Sequence, residues 1–235
     1  VIAAAALALL GPRDLEGRSA VVSAGGTREA LDPVRFLGNR SSGRQGVAVA
    51  DALAARGARV TVVAAHTEVD PAGAFNHRVV TVVSARDLEL AVKAESRNAD
   101  IVVMAAAVAD YRPAQVQDAK MKKTGEALRL ELIENPDILA GLVARRRPGQ
   151  IIVGFAAETG DATTDALSHG RAKAIRKGAD LLAINSVGET TGFGDVTHSV
   201  LVVDSAGNDV GTASGSKTAV AAGLVDLIVG RLASA

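Results

Sequence analysis

The chain has 235 residues, 48% of them hydrophobic and 22% charged, which fits one domain with a sizeable core or at most two small ones. Its 26 basic and 26 acidic residues cancel, so no broad field draws in nucleic acid or an anionic membrane. An aromatic content of 2% offers no base-stacking platform, and the absence of Cys removes disulfides, thiolate metal sites and thiol nucleophiles, a composition that fits a cytoplasmic protein.

The opening V-I-A-A-A-A-L-A-L-L has no basic flank and is too short to span a bilayer. It reads as the last turns of a helix from an upstream domain, stopped by Gly11-Pro12. Residues 1–17 are therefore expected to be a linker remnant, and 18–235 the domain proper. A strand over 18–23 leads into the glycine- and serine-rich stretch 23–46, and a helix over 44–56 leads out, with Val47, Ala50, Leu53 and Ala54 on one face and Gly57 as its stop. Nearly continuous β-branched runs then predict strands at 59–65, 79–83 and 100–107, with a helix over 85–97 between the last two. From 112 to 127 no apolar periodicity survives, and the segment, which carries K-M-K-K at 120–123, reads as a lid or binding loop. A short strand at 128–133 follows, and N-P-D-I at 135–138 opens a helix with Pro136 suited to its first position. Strands at 150–156, 180–185 and 199–204 and helices at 163–177 and 215–232 complete the chain. The alternation predicts an α/β fold: a Rossmann-like, doubly wound, mostly parallel sheet flanked by helices, with a long lid loop and a C-terminal strand pair.

Ligands of such a sheet sit beyond the carboxyl ends of its strands. Three strands, ending near Ser23, Ala107 and Ala156, run into polar or glycine-rich sequence and would form one cleft. Behind the first, Ser41, Ser42, Gly43 and Gly46 stand at a helix start, where converging N–H groups and the helix dipole favour an anion. The 24-residue span is far longer than the usual connection of about 4–6 residues. Behind the second strand lies A-A-V-A-D-Y and then the lysine loop. The chain uses 19 Arg but only 7 Lys, and five of the seven are Lys120, Lys122, Lys123, Lys173 and Lys177. A compact ammonium that follows a phosphate explains that placement; a solvated basic loop also explains it. Lys173 and Lys177 share a helix face and repel one another, so either an anionic partner or the helix C-terminus compensates them. Phe155 either packs in the core or covers a base.

Several signatures are missing. G-x-G-x-x-G does not turn at once from strand into helix, no carboxylate closes the second strand, Tyr111 has Gln115 four residues on rather than Lys, and there is no Walker A sequence. The four His show no ligand spacing. Residue pattern alone thus reaches an α/β domain for a nucleotide or polyphosphate and leaves three readings: an oxidoreductase of dinucleotide type, a regulatory nucleotide-binding module, or a nucleotide-using enzyme of another kind.

The motifs in order are S-A-G-G-T-R-E (23–29), L-D-P-V-R-F (31–36), N-R-S-S-G-R-Q-G (39–46), A-A-V-A-D-Y (106–111), K-M-K-K (120–123), N-P-D-I-L (135–139), V-G-F-A-A-E-T (153–159) and I-R-K (175–177). Together they resemble the phosphopantothenate–cysteine ligase family in its bacterial, CTP-using form, over nearly the whole chain from Arg18. The resemblance implies activation of the 4′-phosphopantothenate carboxylate by CTP to an acyl-cytidylate, then displacement of CMP by the amine of L-cysteine. It assigns Lys120 to phosphate charge in the first step and Asn39 to holding the acyl-cytidylate in the second. Ser42, Gly43, Asp110, Lys120, Pro136, Asp137, Ile138, Leu139, Phe155, Lys173 and Lys177 would contact the nucleotide, and Arg35, Asn39 and Lys122 the phosphopantothenate. It further implies Mg²⁺ on the phosphates with Asp110 as the protein carboxylate nearest it, a homodimer formed through the sheet region, and a fused upstream flavin-dependent decarboxylase. Asn185-Ser186-Val187 departs from the Asn-Asp-Val of many relatives, which puts any role for that Asp in doubt.

Overall fold

A computed structural model of the protein describes residues 11–123, 125–160, 165–186 and 198–234. In chain order its strands and helices are β1 (Ser19–Ala24), β2 (Arg28–Ala30), β3 (Phe36–Gly38), α1 (Arg44–Ala55), β4 (Arg59–Ala64), β5 (Arg78–Thr81), α2 (Ala85–Glu95), β6 (Ile101–Met104), β7 (Tyr111–Pro113), β8 (Leu132–Glu134), α3 (Ile138–Val143), β9 (Ile151–Glu158), α4 (Ala166–Lys177), β10 (Leu181–Ser186), β11 (His198–Val203), β12 (Asp209–Gly215) and α5 (Lys217–Ala233). Eight strands form one sheet in the order β12-β11-β10-β9-β6-β1-β4-β5. The six from β10 to β5 are mutually parallel, and β11 and β12 add antiparallel to that edge. The doubly wound expectation and its terminal antiparallel pair are borne out.

The apolar runs fold this way because both sheet faces are covered. Alternate residues of β1 go to opposite sides: Ala20, Val22 and Ala24 pack with Val49, Leu53, Leu224 and Ile228 of α1 and α5, while Val21 packs with Leu88, Val92, Ile138 and Leu142 of α2 and α3. A third group joins Ala174 of α4 to Leu182, Ile184 and Val203. Leu53 is fully buried, so Leu53→Ala is expected to cost about 2–5 kcal/mol. An unfolding free energy from urea denaturation lowered by less than about 1 kcal/mol would contradict this packing.

The register brings the three informative strand ends side by side. Val22 stands between Val62 and Val103, and Met104 opposite Gly154, so β1, β6 and β9 are consecutive in the sheet and the connection order reverses between β1 and β6. That is the topological switch point of an open α/β sheet.

Four local expectations are corrected. The stretch 23–46 is not a bare loop, because it contains the β2–β3 hairpin; its polar sequence hides it, and Asp32 closes the turn by accepting the N–H groups of Val34 and Arg35 at 2.8 and 2.9 Å. The strand placed at 128–133 shrinks to β8, which pairs with β7 and leaves Leu128, Leu130 and Leu132 exposed. Pro136 does not occupy the first position of α3, since Asp137 is the N-cap and accepts the Ala140 N–H at 3.0 Å. The strand β12 (D-V-G-T-A-S-G) was missed because Gly211 and Gly215 dilute its alternation. The opening helix expected over 1–10 lies outside the described residues, as do positions 163–164; α4 begins at Ala166 behind the Asp165 cap.

Candidate active site

At the end of β1 the chain is wedged between two neighbours. Gly26 exchanges hydrogen bonds with His66, donating to its carbonyl at 3.0 Å and accepting from its N–H at 3.1 Å. On the other side Ala107 donates to the Gly25 carbonyl at 2.8 Å and Thr27 donates to the Ala107 carbonyl at 3.1 Å. Two buried hydroxyls lock A-A-V-A-D in place: Ser23 Oγ accepts the Ala106 N–H at 3.1 Å and Thr27 Oγ1 the Ala109 N–H at 2.9 Å. Gly25 has φ +85°, and a Cβ there would lie 2.3 Å from the His66 carbonyl oxygen. The glycines are therefore dictated by the closeness of the backbone. At Gly46 a Cβ would meet that of Ala24 at 2.7 Å, so α1 is brought right down onto β1.

The start of α1 keeps the character expected of an anion cradle. Its N-cap, Gly43 (φ +77°), offers no capping side chain, and no acidic residue occupies the first turn. No capping side chain takes the first N–H groups, and the dipole favours an anion there. Ser42 stands half-buried beside them, its carbonyl accepting the Glu68 N–H at 3.0 Å.

Next to the cradle, beyond the ends of β6 and β9, lies a cleft of about 740 Å³. It gathers nine of the predicted residues: Asn39, Asp110, Pro136, Asp137, Ile138, Leu139, Phe155, Lys173 and Lys177. Asn39, at the exit of the β2–β3 hairpin, donates from Nδ2 to the Val108 carbonyl at 3.0 Å, so the first stretch is pinned onto the second. The N-P-D-I-L segment is fixed to the second stretch by Asn135, which the sequence pattern does not single out. Its Nδ2 donates to the Ala109 carbonyl at 2.8 Å and its N–H to the Asp110 carbonyl at 2.8 Å, and its Oδ1 accepts from Arg112 at 2.9 Å. An Asn two residues ahead of a helix N-cap was the available signal. Ile138 and Leu139 approach β9 closely because Gly154 leaves room: a Cβ there would sit 2.6 Å from Leu139 Cδ2. Phe155 both packs on the core and lines the cleft. Arg176 and Tyr111 also line the cleft and were not singled out from the sequence.

The electrostatics of Lys173 and Lys177 differ from the simplest expectation. Each is already compensated within the protein, Lys173 by Glu158 at 2.8 Å and Lys177 by Asp137. Burial pushes the Asp137 carboxyl up. The hydrogen bonds from Lys177 and the Ala140 N–H, with the charges of Lys177 and Arg176, more than reverse this and hold it below the usual carboxylate range. An incoming polyanion must compete with these two carboxylates for the ammonium groups.

Ser42, Gly43, Arg35, Lys120 and Lys122 do not line the cleft. Ser42 and Gly43 belong to the cradle. Arg35 binds Asp32 through Nε (2.9 Å) and Nη2 (2.6 Å) and donates from Nη2 to the Met121 carbonyl at 2.8 Å. Lys120 and Lys122 are exposed. Among the described residues no three His, Cys, Asp or Glu side chains converge to hold a metal. Asp110, exposed at the cleft edge, offers one hard oxygen ligand, which suits an ion such as Mg²⁺ that takes most of its coordination from phosphates and water. Nor, among the described residues, is any helix long and apolar enough to cross a membrane.

Fold and site together define a Rossmann-like α/β domain with a cation-rimmed cleft at its switch point. Residues 15–232 match the family model of the DNA/pantothenate metabolism flavoprotein C-terminal domain. The chain is 53% identical over 230 residues to the coenzyme A biosynthesis bifunctional protein CoaBC of Mycobacterium tuberculosis, covering 94% of this chain and 54% of that protein. It is 42% identical over 181 residues to CoaBC of Escherichia coli K12, covering 76% and 43%. Among solved structures, the crystal structure of the C-terminal domain of CoaBC superposes with a TM-score of 0.76 at 30% identity, covering 95% of this chain and all of that one. The chain therefore belongs to the DNA/pantothenate metabolism flavoprotein C-terminal domain family, and the resemblance to the ligase domain of bacterial bifunctional coenzyme A biosynthesis proteins is borne out. It spans about half the length of these curated relatives.

Proposed function

We propose that this domain is a phosphopantothenate–cysteine ligase of coenzyme A biosynthesis that uses CTP and passes through an acyl-cytidylate. One observation carries the reading: Asn39, Asp110, the Pro136–Leu139 segment, Phe155, and Lys173 with Lys177 come from five separate parts of the sequence and line one cleft, beside the uncapped N-terminus of α1. An unactivated carboxylate needs its oxygen converted into a leaving group, and the charge that develops on the phosphate needs cations and N–H donors fixed in advance. Lys173 and Lys177 supply ammonium groups at the cleft, and the N-terminus of α1 with Ser42 and Gly43 supplies N–H donors. Lys120 contributes a further ammonium from the lysine loop, where Lys122 and Arg35 meet the phosphate of phosphopantothenate. Asn39 holds the activated acyl group while the cysteine amine displaces CMP. Asp110 would help hold Mg²⁺ on the nucleotide phosphates, where the ion would supply positive charge against that of the phosphates.

In this reading the domain works in the cytoplasm as a homodimer, fused behind a flavin-dependent decarboxylase as in a bifunctional protein. The oxidoreductase reading loses ground because the glycines of 23–46 build a hairpin and a late helix start instead of the immediate strand-to-helix turn of a dinucleotide site. The deciding experiment incubates the domain with CTP, Mg²⁺ and 4′-phosphopantothenate, with and without L-cysteine, and follows pyrophosphate and products. Pyrophosphate release that requires phosphopantothenate, with CMP and amide appearing only when cysteine is added, is the expected result. Absence of pyrophosphate under every condition would refute the proposal, and CTP binding without turnover would point to a regulatory module.

A further inference from the structure

The turn of the β2–β3 hairpin reaches well beyond its own chain segment. The Asp32 side chain is fully buried, and its two oxygens divide the work. Oδ1 accepts the N–H groups of Val34 and Arg35 and so builds the turn. Oδ2 accepts Nε and Nη2 of Arg35 at 2.9 and 2.6 Å and also the N–H of Met121 at 3.2 Å. Arg35 Nη2 then donates to the Met121 carbonyl at 2.8 Å. One Asp–Arg pair thereby holds both backbone polar groups of a single residue far along the chain. A further bond from the Gln117 N–H to the Leu31 carbonyl, 3.0 Å, ties the same loop to the same turn.

Met121 is the residue between Lys120 and Lys122. Those two side chains are exposed and make no hydrogen bond or ion pair with a described residue, so nothing but the backbone between them fixes where their ammonium groups can reach. Backbone N–H and C=O groups in an exposed loop normally bond to water; both are taken here by an ion pair whose carboxylate is buried and whose guanidinium is half-exposed, which marks this position as one that is held. Burial raises the Asp32 carboxyl, but the Arg35 guanidinium and the N–H groups of Val34, Arg35 and Met121 outweigh it and hold it well below the usual carboxylate range, so the clamp is charged at neutral pH.

We infer that Asp32 is a positioning residue for the lysine loop, gripping Met121 together with Arg35 and thereby setting the reach of Lys120 and Lys122. The role deepens the ligase reading and rests on it only for the catalytic readout. It also couples two devices, because the strand that leaves the Asp32 turn, β3, ends one residue before Asn39: the residue assigned to the second chemical step and the lysine assigned to the first hang from the two sides of one turn.

The variant Asp32→Asn separates the turn from the clamp. Oδ1 still accepts the two turn N–H groups, whereas Nδ2 replaces Oδ2 and meets the Arg35 and Met121 donors as another donor. Two readouts are taken. In limited trypsin digestion of the native protein, cleavage after Lys120, Lys122 and Lys123 is expected to rise about tenfold, because cleavage follows the population of the released loop, with other sites unchanged. In a single turnover with CTP, Mg²⁺ and 4′-phosphopantothenate, pyrophosphate release is expected to slow by about tenfold or more from misplacement of the lysine, with the dissociation constant for CTP little changed. Should Asp32→Asn not fold, Met121→Pro removes the N–H from the loop side and leaves the hairpin whole, and the same two changes are expected, with cleavage read after Lys122 and Lys123. Unchanged loop cleavage in the folded variant would overturn the clamp, and faster cleavage with a normal rate of pyrophosphate release would overturn its positioning role. If the unmodified domain releases no pyrophosphate, the ligase reading falls and the clamp is judged by cleavage alone.

Discussion

Asn39→Asp is expected to form acyl-cytidylate and release its first equivalent of pyrophosphate at close to the normal rate, yet to make amide product about 100-fold more slowly or worse. Asn39 donates from Nδ2 to the carbonyl of Val108 at 3.0 Å. Aspartate keeps the size and loses that donor, setting a carboxylate oxygen against a carbonyl oxygen. The side chain swings away from A-A-V-A-D-Y, and a negative charge enters a site whose occupant carries an acyl phosphate. The first step draws on the ammonium groups and the α1 N-terminus, whereas the side-chain hydrogen bond of Asn39 goes to the Val108 carbonyl. The second step loses the group that holds the activated acyl in line for the amine. Rapid-quench measurement of pyrophosphate, acyl-cytidylate and amide in one time course checks this. Product at the normal rate would mean that Asn39 is not the holding group, and loss of the pyrophosphate burst would mean that it serves activation. Asn39 is exposed, so losing its hydrogen bond should lower the unfolding free energy by no more than about 1.5 kcal/mol, which leaves the domain folded and separates a chemical effect from a structural one.

How much of this was readable beforehand divides along the physics of the sequence. The parallel sheet was legible because strands buried on both faces must be apolar throughout, as 101–107 and 151–156 are, and helices between them must show a one-sided stripe. The cleft was legible in outline because polar sequence after three such strands has only one edge to occupy. What did not show was anything built from backbone geometry and polar side chains. The β2–β3 hairpin has three-residue strands of R-E-A and F-L-G with exposed positions on both, so neither alternation nor a typical turn pair announces it. Asn135 and Asp32 act through bonds to distant backbone groups, and no local spacing encodes a partner some 26 or 89 residues away. The pairing of Lys173 with Glu158 and of Lys177 with Asp137 was hidden for the same reason. The i,i+4 lysine pattern pointed to an anionic partner or a helix end, and the anions found beside the two lysines are the protein's own.

Gly25→Ala is expected to destabilise the domain by about 3 kcal/mol or more, whereas Gly17→Ala should cost only about 1–2 kcal/mol. Both glycines have similar positive φ, +79° at Gly17 and +85° at Gly25, so each alanine carries the same penalty for a left-handed backbone. The surroundings differ completely. Around Gly17 a Cβ meets nothing within 4 Å; at Gly25 it would lie 2.3 Å from the His66 carbonyl oxygen, 2.8 Å from its carbon and 2.9 Å from Thr67 Cγ2. Two of those atoms are backbone, so no rotamer change relieves the overlap. The end of β1 must part from the His66 segment and give up the paired bonds between Gly26 and His66. The damage carries to the cradle, because a Cβ at Gly43 would itself stand 2.6 Å from Thr67 Cγ2 and 3.3 Å from the Gly25 nitrogen: Gly25, Thr67 and the N-cap of α1 form one close-packed contact. Displacing Thr67 moves the N–H groups offered to the nucleotide phosphates, so CTP affinity should fall along with stability in Gly25→Ala and stay unchanged in Gly17→Ala. Urea denaturation of the two variants beside the parent, with CTP titrations on each, checks both parts. Equal losses of stability would show that the glycine serves only its dihedral angle, and intact CTP binding in a destabilised Gly25→Ala would detach the cradle from the His66–Thr67 contact.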